Sequence, residues 1–156
     1  MVCLGNICRS PLAEGILQQK AWKAGLDWSI ESAGTNSYHC GEPPHPLSQK
    51  VASQNGINIS NQRARKFKKE DIDQYDRIYA MAGDVLDDIK DIAGNHPGIG
   101  KVSLLLNELY PGENIDVPDP WYGPEPGYHD TYRIINAACD AIIEKYLVSK
   151  KQSATA

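Results

Sequence analysis

The sequence predicts an α/β domain, a parallel sheet of about four strands with helices packed on both faces. Two observations carry that expectation. Strand-like apolar runs alternate with segments of helical spacing along the chain, the pattern that builds a parallel sheet through helical crossovers. The chain has 156 residues, enough for one domain with a core of its own. Ligands of such sheets bind at the carboxyl ends of the strands, and Cys3 is expected at one of those ends.

The elements follow in order. The first helix is expected to open at Pro11, because proline suits the first helical position and Ser10 before it is a good N-cap. Leu12, Gly15, Ile16 and Gln19 continue at helical spacing, and Gly25 supplies a stop. Trp28 to Ser32 alternates as a strand does. Pro46 to Gly56, with Leu47, Val51 and Ala52, reads as a helix ending on glycine. Arg77 to Ala82 is a short apolar strand, Asp84 to Ala93 a helix, and Lys101 to Leu106 another strand. A loop rich in glycine and proline runs from Pro111 to Gly127. The last helix, Tyr128 to Leu147, presents Tyr132, Ile135, Cys139, Ile142, Ile143 and Tyr146 on its inner face. Residues 1–148 form the domain, and the polar stretch 149–156 is expected as a frayed tail.

Composition narrows the function. Apolar residues make up 41% and charged residues 23%, ordinary for a globular protein, and a net charge of −4 argues against nucleic acid as the main partner. No apolar run is long enough to span a bilayer, and no signal-peptide pattern opens the chain. Four cysteines (Cys3, Cys8, Cys40, Cys139) do not form the framework of a disulfide-stapled secreted domain. The expected setting is reduced and cytoplasmic, with neither membrane nor nucleic acid as partner, and the expected state is a monomer.

The most informative segment is Cys3-Leu4-Gly5-Asn6-Ile7-Cys8-Arg9-Ser10-Pro11. A cysteine and an arginine separated by five residues let the backbone curl so that successive N–H groups converge on a tetrahedral oxyanion. The amides of Leu4, Gly5, Asn6, Ile7, Cys8 and Arg9 would line that cradle. Arg9 closes it with a planar fork suited to two phosphate oxygens. The helix behind adds its N-terminal partial positive charge. Among those dipoles Cys3 is expected to sit as a thiolate. The segment reads as a phosphate site with a nucleophilic sulfur at its floor.

These residues resemble the signature of the low-molecular-weight protein tyrosine phosphatases. Larger tyrosine phosphatases place histidine immediately before the cysteine, where this chain has Val2. The resemblance continues through Ser32-Ala33-Gly34-Thr35, Gly41-Glu42-Pro43-Pro44 and Asp119-Pro120-Trp121-Tyr122-Gly123, in the family's order and across nearly the whole chain. It implies a doubly wound α/β sheet and phosphomonoester hydrolysis without metal or cofactor. Cys3 would attack phosphorus to give a phosphocysteine, and Arg9 and the loop amides would hold the equatorial oxygens. Asp119 would protonate the leaving phenolate and later deprotonate the water that releases phosphate. Ser10 would hydrogen-bond the sulfur, and Asn6 and Ser32 would hold the loop's shape.

The partner implied is a protein bearing phosphotyrosine, because a long aryl phosphate reaches the floor of a deep slot and serine phosphate does not. Trp121 and Tyr122 would flank the ring. Tyr38 matches a family position at the pocket rim, or is an ordinary exposed tyrosine. Ile7 stands where a similar group that dephosphorylates arginine carries threonine, which favours phosphotyrosine. Cys8 either pairs reversibly with Cys3 on oxidation or fills space beneath the loop. Asp119-Pro120 has a plain alternative as a turn, and nearby Asp116 reads as a solvated loop charge. The basic run Arg63 to Lys69 is a solvated face or a dock for an acidic segment. Cys40 reads as a loop residue and Cys139 as a core residue.

The chain departs from the family pattern in two ways. Gln62 and Ala82 occupy positions where a histidine and an acidic residue often stand, so a supporting polar pair is absent. Only Met1 and Val2 precede the cysteine, where the family carries a strand of several apolar residues, so Met1 is not expected to be the natural start. Three rival readings differ in chemistry. Arsenate reductases look similar but need a cysteine relay near mid-chain, and Tyr75 to Ala93 contains no cysteine. A zinc site at Cys3 and Cys8 would have only His39, Cys40 and His45 to complete it, beside a repelling Arg9. A module that binds phosphotyrosine without cleaving it would not need the nucleophile and acid that are present.

Overall fold

In the computed structural model, which describes residues 1–155, the four strands lie parallel in the order β2-β1-β3-β4. Strand β1 is Val2–Cys3, β2 Ala33–Gly34, β3 Ile78–Ala80 and β4 Val102–Leu104. Val2 pairs with Ala33 on one side and Ala80 on the other, which makes β1 an inner strand although it is two residues long. Strand β3 pairs with β4 from Ile78↔Val102 to Ala80↔Leu104.

Alternation along the strands sorts side chains to the two faces. Cys3, Tyr79, Met81 and Leu105 join Leu12, Ile16, Ile135 and Cys139 in one core, under helices α1 (Arg9–Lys23) and α5 (Glu125–Thr155). Val2, Ile78, Ala80 and Leu104 join Val85, Ile89 and Ala93 of α4 (Gly83–Ala93) in the other. A third, smaller cluster sits beside the loop after β1, where Ile7 and Cys8 meet Val51 of α2 (Pro46–Gln54), Ala64 and Tyr128. The remaining helix α3 is the single turn Asp71–Gln74. The expected α/β architecture, with helices on both faces of a parallel sheet, is the one found.

Several boundaries differ for physical reasons. The strand expected over Trp28 to Ser32 enters the ladder only at Ala33–Gly34. Beside it the Met1 amine donates to Glu31 O at 3.0 Å and the Met1 carbonyl accepts from Ala33 N at 3.0 Å. A cavity of about 890 Å³, bounded in part by Met1, Trp28, Tyr79 and Tyr146, opens at the amino ends of these strands. Helix α1 begins at Arg9, before the expected Ser10-Pro11 cap, because the Ser10 hydroxyl is engaged in the loop. The strand expected over Lys101 to Leu106 turns into a 3-10 helix at Leu105–Glu108. Residues 149–155, expected as a tail, continue α5.

Candidate active site

The loop from Cys3 to Arg9 links the carboxyl end of β1 to the start of α1, and its shape is set by Asn6. This residue adopts φ 58°, in the left-handed region that asparagine tolerates better than most residues. The turn brings Asn6 N–H to 3.2 Å from Cys3 Sγ. Asn6 is buried, and its side-chain bonds fix the conformation. Its Nδ2 donates to Ser10 Oγ at 2.8 Å and Ser32 Oγ at 2.9 Å, while its Oδ1 accepts from Arg65 N at 3.1 Å. Ser10 Oγ lies 3.0 Å from Cys3 Sγ. The sulfur thus receives a loop amide and contacts a hydroxyl, each aimed by the same asparagine.

Gly34 lets β2 approach this loop. A Cβ at that position would lie 2.8 Å from Leu4 O and 3.1 Å from Asn6 N, backbone atoms that cannot swing aside. Thr35 N–H then donates to Cys3 O and Asn36 N–H to Leu4 O, both at 3.0 Å.

Arg9 is buried at 5% exposure beneath the long loop that follows β4. Its Nη1 donates to Val117 O at 3.1 Å, and its Nη2 lies 3.6 Å from Asp119 Oδ2. One Nη–H is thereby engaged by Val117 O, the Asp119 carboxylate stands just beyond hydrogen-bond distance, and the fork's other donors remain for an anion. Asp119 caps a 3-10 turn over Pro120–Tyr122, its Oδ1 accepting Trp121 N–H at 3.1 Å. The loop is anchored further by Val117 N donating to Met81 O at 2.8 Å and by Thr131 Oγ1 donating to Pro118 O at 3.1 Å. A carboxylate from the loop after β4 is thus brought to the arginine of the loop that begins at Cys3, more than a hundred residues earlier in the chain.

The other expected residues divide. Trp121 packs its indole against His39 and His45. Tyr38 and Tyr122 are 86% and 87% exposed, so the structure leaves both phenols in solvent. Ile7 is buried in the small cluster with Cys8 and Tyr128, while its carbonyl accepts His45 N–H at 2.8 Å. Leu4 is partly exposed on the outer side of the loop. Cys8 is buried with Sγ 3.8 Å from Tyr128 Oη, and burial pushes its thiol up to about 12. Asp116 is not a free loop charge; its Oδ1 accepts Gly83 N–H at 2.8 Å and caps α4 from outside. In the basic run, Arg65 pairs with Asp71 at 2.9 Å, and Ala64 and Phe67 are buried. Among the described residues no three His, Cys, Asp or Glu side chains gather as a metal site.

Sequence reasoning missed Glu14. Its Oε1 accepts the Ser32 hydroxyl at 2.8 Å, extending the network one step behind Asn6. Burial pushes its carboxyl above the ordinary value. The signal was available, since Glu14 lies one helical turn after Ser10 and faces the same way. Glu14 supports Ser32 from α1, apart from Gln62 and Ala82, where a supporting polar pair is expected to be absent. Gln62 instead donates to Pro11 O at 3.0 Å and leaves its own Oε1 buried without a partner in the described structure. His39, His45 and Tyr128 were also missed, because they meet only through the fold.

Comparison with known proteins gives the family and the fold. The family model described as low molecular weight phosphotyrosine protein phosphatase matches residues 1–153. The low molecular weight protein-tyrosine-phosphatase YfkJ of Bacillus subtilis is 34% identical over 144 residues, 91% of this chain and 90% of that protein. The crystal structure of YfkJ superposes with a TM-score of 0.86 at 33% identity, covering 96% of this chain and 93% of that one. The structure of DARP, a Drosophila arginine phosphatase, gives a TM-score of 0.86 at 30% identity over 93% of this chain and 94% of that one.

Proposed function

The chain belongs to the low molecular weight phosphotyrosine protein phosphatase family, and from that premise we propose that it hydrolyses phosphotyrosine in proteins through a phosphocysteine intermediate. The observation that carries the reading is the convergence on Cys3 Sγ of the Asn6 amide at 3.2 Å and the Ser10 hydroxyl at 3.0 Å, beside an arginine tied to a carboxylate.

The Cys3 thiolate attacks phosphorus in line, forming the S–P bond as the bond to the phenolic oxygen breaks. Arg9 and the loop amides take up the charge on the three equatorial oxygens, the largest electrostatic contribution to such a transfer. Asp119 gives its proton to the departing phenolate, then takes one from the water that cleaves the S–P bond. Ser10 stabilises the sulfur as it departs in that second step. The substrate ring lies against Trp121, with Tyr38 and Tyr122 at the mouth. Ile7 brings no hydrogen-bonding side chain to the loop, where the similar group that dephosphorylates arginine carries threonine; it is buried beside Cys8 and Tyr128. A loop without that hydroxyl offers less to the charged guanidinium of phosphoarginine.

Cys8 serves as the partner of Cys3 under oxidation. An oxidant of the peroxide class converts Cys3 to its sulfenic acid, and attack by Cys8 then forms the disulfide and releases water. A reduced, cytoplasmic setting suits the resting enzyme.

The test is turnover of an aryl phosphate beside phosphoserine and phosphoarginine. Aryl phosphate should be strongly preferred, and Asp119→Ala should lose about 10²–10⁴-fold in rate. Preference for phosphoarginine would overturn the role given to Ile7.

A further inference from the structure

Trp121 is gripped between two imidazoles that come from the segment between β2 and α2. The His39 and indole ring centroids are 5.6 Å apart, with the planes tilted by 57°. The His45 and indole centroids are also 5.6 Å apart, at 80°, an edge-to-face arrangement.

Each imidazole is itself fixed to the cradle. His39 Cδ2 stands 3.0 Å from the point a Cβ on Gly5 would occupy, so this ring lies directly on the loop, and its Nδ1 is 2.6 Å from Glu42 Oε2. His45 donates its backbone N–H to Ile7 O at 2.8 Å, a second attachment to the loop. Its Nδ1 accepts Leu47 N–H at 3.1 Å, capping α2, and its ring stacks on the buried Tyr128 at 5.2 Å and 25°. The backbone N–H of the same Trp121 donates to Asp119 Oδ1 at 3.1 Å, so the residue whose ring the imidazoles pack against also holds the carboxylate. The chain of contacts therefore runs from the cradle loop at Gly5 and Ile7, through the imidazoles to the Trp121 ring, and from the Trp121 backbone amide to the carboxylate.

We propose that His39 and His45 are positioning residues for Asp119, acting through the Trp121 indole to hold the carboxyl in register with the cradle. This rests on Asp119 being the general acid. The loop that carries Asp119 is tied at Val117 and Pro118, and beyond them it has one short 3-10 turn, so the Asp119 side chain keeps freedom that those backbone ties do not remove. Displacement of a proton donor by about 1 Å costs on the order of 10²-fold in the step it serves. The two rings remove that freedom.

The role has a signature that a stability effect lacks. A displaced acid slows loss of a poor leaving group and spares one that departs without a proton. The experiment compares kcat/KM for phenyl phosphate and dinitrophenyl phosphate in His45→Asn, His45→Phe, His39→Ala and Asp119→Asn. Asparagine retains a capping side chain and removes the ring, whereas phenylalanine retains the ring and removes the cap. His45→Asn and His39→Ala should lose about tenfold on phenyl phosphate and less than about twofold on dinitrophenyl phosphate. His45→Phe should keep the parent ratio of the two substrates even where its melting temperature falls. Equal losses on both substrates in His45→Asn, or no loss on either, would overturn the proposal while a biased Asp119→Asn left the acid assignment standing. An unbiased Asp119→Asn would overturn the acid assignment and the clamp together.

Discussion

Asn6 concentrates much of the site's organisation in one side chain. It supplies the left-handed turn, aims its own amide at the sulfur, orients Ser10 and Ser32, and accepts the Arg65 amide. Alanine there would keep the strained backbone and leave several buried groups without partners. Asn6→Ala should therefore cost about 2–4 kcal/mol in stability, read from chemical denaturation. Asn6→Gly relieves the backbone and not the bonds, so it should recover part of the stability while turnover stays depressed in both. Cys8, by contrast, is a buried thiol beside a tyrosine, its pKa pushed up to about 12, so it is protonated at neutral pH. The two cysteines of the loop differ by environment: one faces amide and hydroxyl donors, the other an apolar cluster.

Helix α2 is held to the cradle by a capping side chain with an unusual constraint. His45 can accept Leu47 N–H only with Nδ1 unprotonated, and burial lowers its pKa below the ordinary value of 6.5. The folded state thus binds fewer protons here than the unfolded chain as pH falls below 6.5. Stability from this group is fully present above 6.5 and is lost as pH drops through the lowered native value. The denaturation midpoint of the parent should decline more steeply below 6.5 than that of His45→Asn, whose cap does not titrate. Parallel profiles would remove this role. Strand β2 depends on a different constraint, the absence of a side chain at Gly34, which allows its backbone to press on the cradle.

Assembly across the chain explains what was legible beforehand. The cradle could be read because Cys3 to Ser10 are contiguous and their chemistry does not depend on distant partners. The sheet could be read because strand and helix periods alternate, and Tyr79 and Ala80 do face opposite cores. Asp119 was identified only through resemblance, since nothing local separates a catalytic Asp-Pro from a turn. Its tie to Arg9 exists only because the loop after β4 folds back over α1. The grip of His39 and His45 on Trp121 joins separate segments by ring packing, which leaves no periodic trace. The alternation at Trp28 to Ser32 is a local pattern, whereas ladder pairing on that segment begins only at Ala33–Gly34.

The proposed reaction turns on a single covalent event, transfer of a phosphoryl group to Cys3. Rapid acid quench of Asp119→Ala during turnover of an aryl phosphate, followed by peptide mass spectrometry, would locate the phosphate. Phosphate should be found on Cys3, and neither phosphoenzyme nor turnover should be found in Cys3→Ser. Phosphate on another residue, or full turnover in Cys3→Ser, would contradict the mechanism.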